Sequence, residues 1–119
     1  MAISVASTLT PPIAHVVACA CARAVFGAPT RIVGVVSAHA TAYLDSVRAG
    51  RIVEAPVTTR LADGMACRVP DEDALASIRR EVDELIAVTD DEVAEAMRAL
   101  FADTHNVAEG AGAASLAGA

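Results

Sequence analysis

The densest group of residues able to do chemistry, outside charged helix faces, is Thr104, His105, Asn106 and Glu109. They stand between an apolar-striped segment and the small-residue run EGAGAASLAGA, residues 109–119. Glu109 falls at the start of that run, where a helix would leave backbone N–H groups unpaired and favour negative charge. Such a place suits an anion or the polar substituent of a ring; a helix cap with solvated neighbours is the plainer reading. Asp63-Gly64 is a second candidate, between an extended segment and a proline-led helix. Its backbone could face a ligand, or Gly64 could simply supply positive φ to a turn. Ser37 and His39 follow an apolar strand-like run, at the end where parallel α/β sheets bind ligands; ordinary loop residues would look the same. His15, on an apolar helix, reads as structural.

What is missing narrows the chemistry. No H-x-x-x-H, H-E-x-x-H, G-x-S-x-G or phosphate-binding P-loop occurs, and the three histidines are far apart, so no metal site and no catalytic residue is assigned. Asp71-Glu72-Asp73 reads as the first turn of a helix. All nine basic residues are Arg, scattered along the chain, and the net charge is −6. Eleven of the fifteen acidic residues lie between Asp71 and Asp103. A phosphate backbone would be repelled, so no nucleic-acid partner is expected. Cys19, Cys21 and Cys67 fit neither a disulfide framework nor a common zinc spacing; Cys19 and Cys21, in an apolar helical stretch, read as small buried hydrophobes, and the setting as reducing and cytoplasmic. The apolar run from Ile13 to Phe26 contains His15 and Arg23 and is too short to span a bilayer. No basic residue precedes it, so neither a signal peptide nor a membrane partner is expected.

The elements that must position these residues follow from pattern. Residues 1–12 end in Pro11-Pro12 and read as a loose lead-in. Ile13 to Phe26 has helical periodicity and is stopped by Gly27 and Pro29. Arg31 to Val36 is a nearly continuous β-branched run, as in a buried parallel strand. A helix, a short Gly/Pro loop and a buried strand form the second half of a βαβ unit whose first strand is missing or altered. Thr41 to Ala49 predicts a short helix, with Tyr43 or Leu44 and Val47 inward and Gly50 closing it. Residues 51–59 are extended and broken by Pro56. A helix from about Asp71 to Arg80 carries Leu75 and Ile78 on one face. Leu85 to Val88 predicts a strand. Thr89 and Glu92 form a capping box that opens a helix running to about Ala102, with Val93, Met97, Leu100 and Phe101 on one stripe. The final run is a weak helix, because interior Gly disfavours helix by about 1 kcal/mol each. It makes sense where a backbone must approach a neighbour closely. The fold class is α/β, a partial open parallel sheet with flanking helices. Of 65 apolar residues 28 are Ala, so the core is thin. Marginal stability, or self-association through exposed apolar faces, is expected.

Taken together, RIVGVVSAHATAYLDSVRAGR, VTTRLADGMACR, ELIAVTDDEVAEAMRALFADT and VAEGAGAA, in this order and spacing, resemble the pyridoxal-phosphate-dependent threonine/serine dehydratases and serine racemases. The last block is most similar to the dehydratase-like branch linked to hydroxyectoine degradation. The resemblance covers residues 13–119, leaving 1–12 unmatched, and implies part of the large lobe of a fold-type II enzyme. It implies pyridoxal 5′-phosphate as cofactor, a small amino-acid substrate, and lyase chemistry. In that chemistry a hydroxy amino acid loses its β-hydroxyl, with the ring as electron sink, giving a 2-oxo acid and ammonia. By position, Gly64 would lend backbone to the active-site wall and Glu109 would sit by the pyridine ring. The family's cofactor-anchoring lysine has no counterpart, since the chain contains no Lys. MAISVASTLTPP stands where the glycine-rich phosphate loop would come. Val36, Ser37, Ala40 and Ala42 stand where some members bind a divalent cation, without the carboxylates. The expectation is a central part of a dehydratase large lobe, inactive by itself. A non-enzymatic α/β interaction or regulatory domain is the alternative, and a second chain supplying the lysine lobe is a third reading.

Overall fold

The computed structural model describes residues 2–5, Cys19 and residues 22–119. Three parallel strands form one sheet in the order β1 (Ala2–Val5), β2 (Arg31–Ser37), β3 (Glu84–Val88). Ala2 pairs with Arg31 and Val5 with Gly34; Val33 pairs with Glu84 and Ser37 with Val88. The central strand is RIVGVVS, whose β-branched residues suit a sheet covered on both faces. Successive side chains alternate between the faces, and two cores result. Val35 packs in one with Val88, Val93, Ala96, Ala113 and Ala114; Val36 packs on the other with Tyr43, Ala74, Leu75 and Ile78.

Among the described residues, four helices pack on the two faces. α1 (Ala42–Ala49) and α2 (Glu72–Glu81) hold the Val36 face, while α3 (Asp90–Thr104) and α4 (Gly110–Ala117) hold the Val35 face. Their ends follow sequence chemistry. Gly50, at φ 72°, closes α1 in the left-handed conformation. The Asp71 carboxylate caps α2 by accepting from the Ala74 N–H at 2.9 Å. The Thr89 hydroxyl accepts from the Glu92 N–H while the Glu92 carboxylate accepts from the Thr89 N–H at 2.7 Å, the expected capping box. At the opposite end of the sheet the Asp83 carboxylate accepts from the Ile32 N–H at 2.7 Å and pairs with Arg23 at 2.8 Å. Arg31 pairs with Glu84 beside it.

The structure departs from expectation in the lead-in, on the stripe of α3 and at the end of that helix. Within the lead-in, Ala2–Val5 is a strand paired to β2, so the supposedly missing strand of the βαβ unit is present in the chain. AISV is short but mostly apolar, and pairing along β2 outweighs the turn signals that follow it. The helix drawn over Ile13–Phe26 lies largely outside the described residues; residues 22–26 are helical, and Gly27 at φ 57° follows them. Phe101 does not belong to the inward stripe of α3: it is 57 % exposed, and Val93 and Ala96 are the buried residues of that helix. The small-residue helix α4 is covered, with Gly110, Ala111, Ala113 and Ala114 all buried. α3 continues two residues past Ala102 and ends on His105 at φ 58°, a left-handed cap made without glycine. Among the described residues, no helix is long and apolar enough to cross a membrane.

Candidate functional site at the carboxyl edge of the sheet

Because the strands are parallel, β2 and β3 deliver Ser37 and Val88 to the same edge, where the Ala38 N–H donates to the Val88 carbonyl at 2.8 Å. Ser37 is buried, and its hydroxyl oxygen accepts from the His39 N–H at 3.1 Å, while its carbonyl accepts from the Ala40 N–H at 3.0 Å. These bonds make Ser37 the pivot of a tight turn. The His39 carbonyl accepts from the Thr58 N–H at 2.8 Å, and its Nδ1 lies 3.5 Å from the Thr58 hydroxyl. His39 thereby ties the edge to the connector of residues 51–62.

The connector is held more firmly by Asp90, the first residue of α3. One carboxylate oxygen accepts from the Thr59 hydroxyl at 2.6 Å and the other from the Arg60 N–H at 2.7 Å. Burial works to raise the pKa of Asp90. The bonds from Arg60 and Thr59, with the charges of His39 and Arg60, outweigh it and hold the carboxyl below its ordinary range. The sequence showed Asp90 only as one of three acids in a helix first turn. Its position directly after a strand at the ligand-binding edge was the overlooked signal.

Downstream, the Thr59 hydroxyl oxygen accepts from the Ala62 N–H at 3.0 Å. The Ala62 carbonyl accepts from the Met65 N–H at 2.9 Å and so closes a single 3-10 turn, Asp63–Met65. Gly64 sits in this turn, exposed, without positive φ; the turn is 3-10 and needs none, which corrects the plainer reading of that glycine. The first residue of α4, Gly110, lies against the Leu61 carbonyl so closely that a Cβ there would overlap the oxygen. That contact supplies the close backbone approach expected of the small-residue run. Glu109 caps α4 from an extended conformation (φ −72°, ψ 163°); it is exposed, and its side chain makes no cap hydrogen bond. The turn bearing Gly64 and the helix start bearing Glu109 therefore pack against each other.

The other candidates do not join them. The Thr104 hydroxyl donates to the Leu100 carbonyl at 2.6 Å and Asn106 bonds back to Thr104, so Thr104, His105 and Asn106 form a local helix ending. His15 and Cys21 lie outside the described residues. Cys67 is half-buried, and burial pushes its thiol up despite its bond to the Val69 carbonyl. Among the described residues no three His, Cys, Asp or Glu side chains gather as a metal site.

The family of pyridoxal-phosphate dependent enzymes matches residues 14–119. The chain belongs to this family. It is 44 % identical over 87 residues to the L-threonine ammonia-lyase of Geobacter sulfurreducens and 33 % identical over 87 residues to that of Thermotoga maritima. Each match takes in 73 % of this chain and 22 % of the relative. Among solved structures, a threonine deaminase from T.th. superposes on 98 % of the chain and 41 % of its own, with TM-score 0.80 and 30 % identity. A maize serine racemase superposes on 98 % of this chain and 33 % of its own, with TM-score 0.76 and 25 % identity. The α/β fold, a partial open parallel sheet with flanking helices, is thus that of fold-type II enzymes of the family.

The family's cofactor is pyridoxal phosphate. The residues present do not fit it in a covalently held form. A side-chain amine is needed to form an imine with its aldehyde, and all nine basic side chains here are Arg.

Proposed function

We propose that these 119 residues form the ring-facing wall in the large lobe of a pyridoxal-phosphate-dependent threonine/serine ammonia-lyase, and that they turn over neither amino acid by themselves. The reaction of the whole enzyme is β-elimination of a hydroxy amino acid to a 2-oxo acid and ammonia. In this reading Gly64 lends backbone to the wall and Glu109 stands beside the pyridine ring; residues 13–119 belong to the lobe, and Ala2–Val5 of the lead-in add a strand to its sheet. The observation that carries it is the packing of the Asp63–Met65 turn on the first turn of α4 through Leu61 and Gly110. The similarity to threonine ammonia-lyases supports the substrate class, and the anchoring amine has to come from outside these residues.

The same reading sets the protein in the cytoplasm, supported by the free thiols of Cys19 and Cys67. It also expects self-association through exposed apolar side chains, of which Phe26 (80 %) and Val107 (88 %) are the most open. The test is binding of pyridoxine 5′-phosphate, which has the ring and phosphate but no aldehyde, followed by amide NMR. Shifts centred on Gly64 and Glu109 are expected. Shifts confined to other parts of the sheet, or none up to millimolar ligand, would contradict the assignment.

A further inference from the structure

We propose that Asp90 is the positioning residue of this wall: through Thr59, its carboxylate sets where the Gly64 turn stands against α4. The role in the wall rests on the assignment of Gly64 and Glu109 above; the hydrogen-bonded relay stands on geometry alone. Both Asp90 oxygens are spent on one stretch of connector, one on the Thr59 side chain and one on the Arg60 backbone. A carboxylate serving only the helix dipole would need neither bond. Because the Thr59 hydroxyl gives its proton to Asp90, its oxygen is left to accept, and it takes the Ala62 N–H at 3.0 Å and the Leu61 N–H at 3.4 Å. Ala62 is fully buried and its carbonyl closes the turn around Gly64. Leu61 presents its carbonyl to Gly110, where there is no slack. The relay is therefore Asp90, Thr59, Ala62, turn, with Leu61 as the stop against α4.

Its anchor is rigid, since Asp90 directly follows the Thr89 N-cap of the Thr89–Glu92 capping box. The charged or titratable groups facing Asp90 are His39 from the loop after β2 and Arg60 from the connector. On its own helix, Asp91 and Glu92 are near, and the Glu92 carboxylate is engaged by Thr89. A charge-assisted pair of bonds of this length is stronger than neutral ones, so loss of the Asp90 charge should release the connector.

The test is residue-resolved amide hydrogen exchange on the full chain without any cofactor, for wild type, Asp90→Asn, Thr59→Val and Thr59→Ser. Protection at Arg60, Ala62 and Met65 should fall about tenfold or more in Asp90→Asn and Thr59→Val, while Leu75 and Ala96 keep theirs. Thr59→Ser, which retains the hydroxyl, should restore it to within about twofold. In wild type the Arg60 and Ala62 protection, relative to Leu75, should drop as pH falls from about 7 to about 3, and Asp90→Asn should abolish that drop. Unchanged Ala62 protection in Thr59→Val overturns the proposal, and so does failure of Thr59→Ser to restore it. If Thr59→Val loses protection everywhere, the wild-type pH series decides, and a flat ratio overturns it. Absence of pyridoxine phosphate shifts beside an intact exchange pattern removes the wall assignment and leaves the relay standing.

Discussion

Gly110 is the residue on which the site geometry turns, because any Cβ there meets the Leu61 carbonyl, which belongs to backbone and cannot rotate away. Gly34 is also tight, but its neighbour is the end of the Leu85 side chain, which can. Gly110→Ala should therefore cost about 3 kcal/mol and Gly34→Ala about 1 kcal/mol, the two ends of the range for overpacking. Urea unfolding of both variants measures the difference, and a larger loss in Gly34→Ala would reverse the ranking. The capping box offers a second check. Thr89→Ala should cost about 1 kcal/mol. The hydrogen bonds from the Thr89 N–H and hydroxyl hold the Glu92 carboxyl below its ordinary range, against a smaller push from burial. A depressed carboxyl contributes stability at neutral pH, above its unfolded value, and that stability is lost as pH falls through the folded value. Wild type should thus lose stability on acidification more steeply than Glu92→Gln, as chemical unfolding at a series of pH values would show.

The elements were legible where local chemistry dictated them. RIVGVV is β-branched enough to be a two-sided strand, Gly50 marks a helix end, and Thr89 with Glu92 marks a helix start; the structure has all three. What local chemistry does not encode was missed. Ala2–Val5 is too short to announce itself and becomes a strand only because β2 offers a parallel edge. Phe101 fits the apolar period of α3, but no described element covers that side of the helix. The packing of the Gly64 turn on α4 joins residues nearly fifty positions apart, so spacing could suggest each partner and not their meeting. Asp90 was hidden among acids whose helix role was already sufficient. β1 also gives a direct test. In an edge strand alternate N–H groups face the neighbour, so one of Ile3→Pro and Ser4→Pro removes a ladder bond and the other removes an outward N–H. One substitution should cost at least about 1 kcal/mol more than its neighbour; equal effects in thermal unfolding would argue against the paired strand.

At the scale of the molecule, the three-stranded parallel sheet of the described residues has two unpaired edges, and it carries helices on both faces while Phe101 and Val107 stand exposed near the end of α3. The chain spans 22 % of the length of the threonine ammonia-lyases it matches. Light scattering should find the 119 residues associated, and Phe101→Ser with Val107→Ser should shift them toward monomer; a wild type monomeric at high concentration would contradict this. The chemistry divides in the same way. The described residues bring Gly64 and Glu109 into adjacent elements and hold the turn through Asp90, yet the sequence contains no lysine amine. The most direct measurement is therefore 2-oxo acid release from L-threonine by the purified chain with added pyridoxal phosphate. We expect a rate equal to that of pyridoxal phosphate in protein-free buffer; saturable turnover above that rate would show that these residues complete an active site unaided.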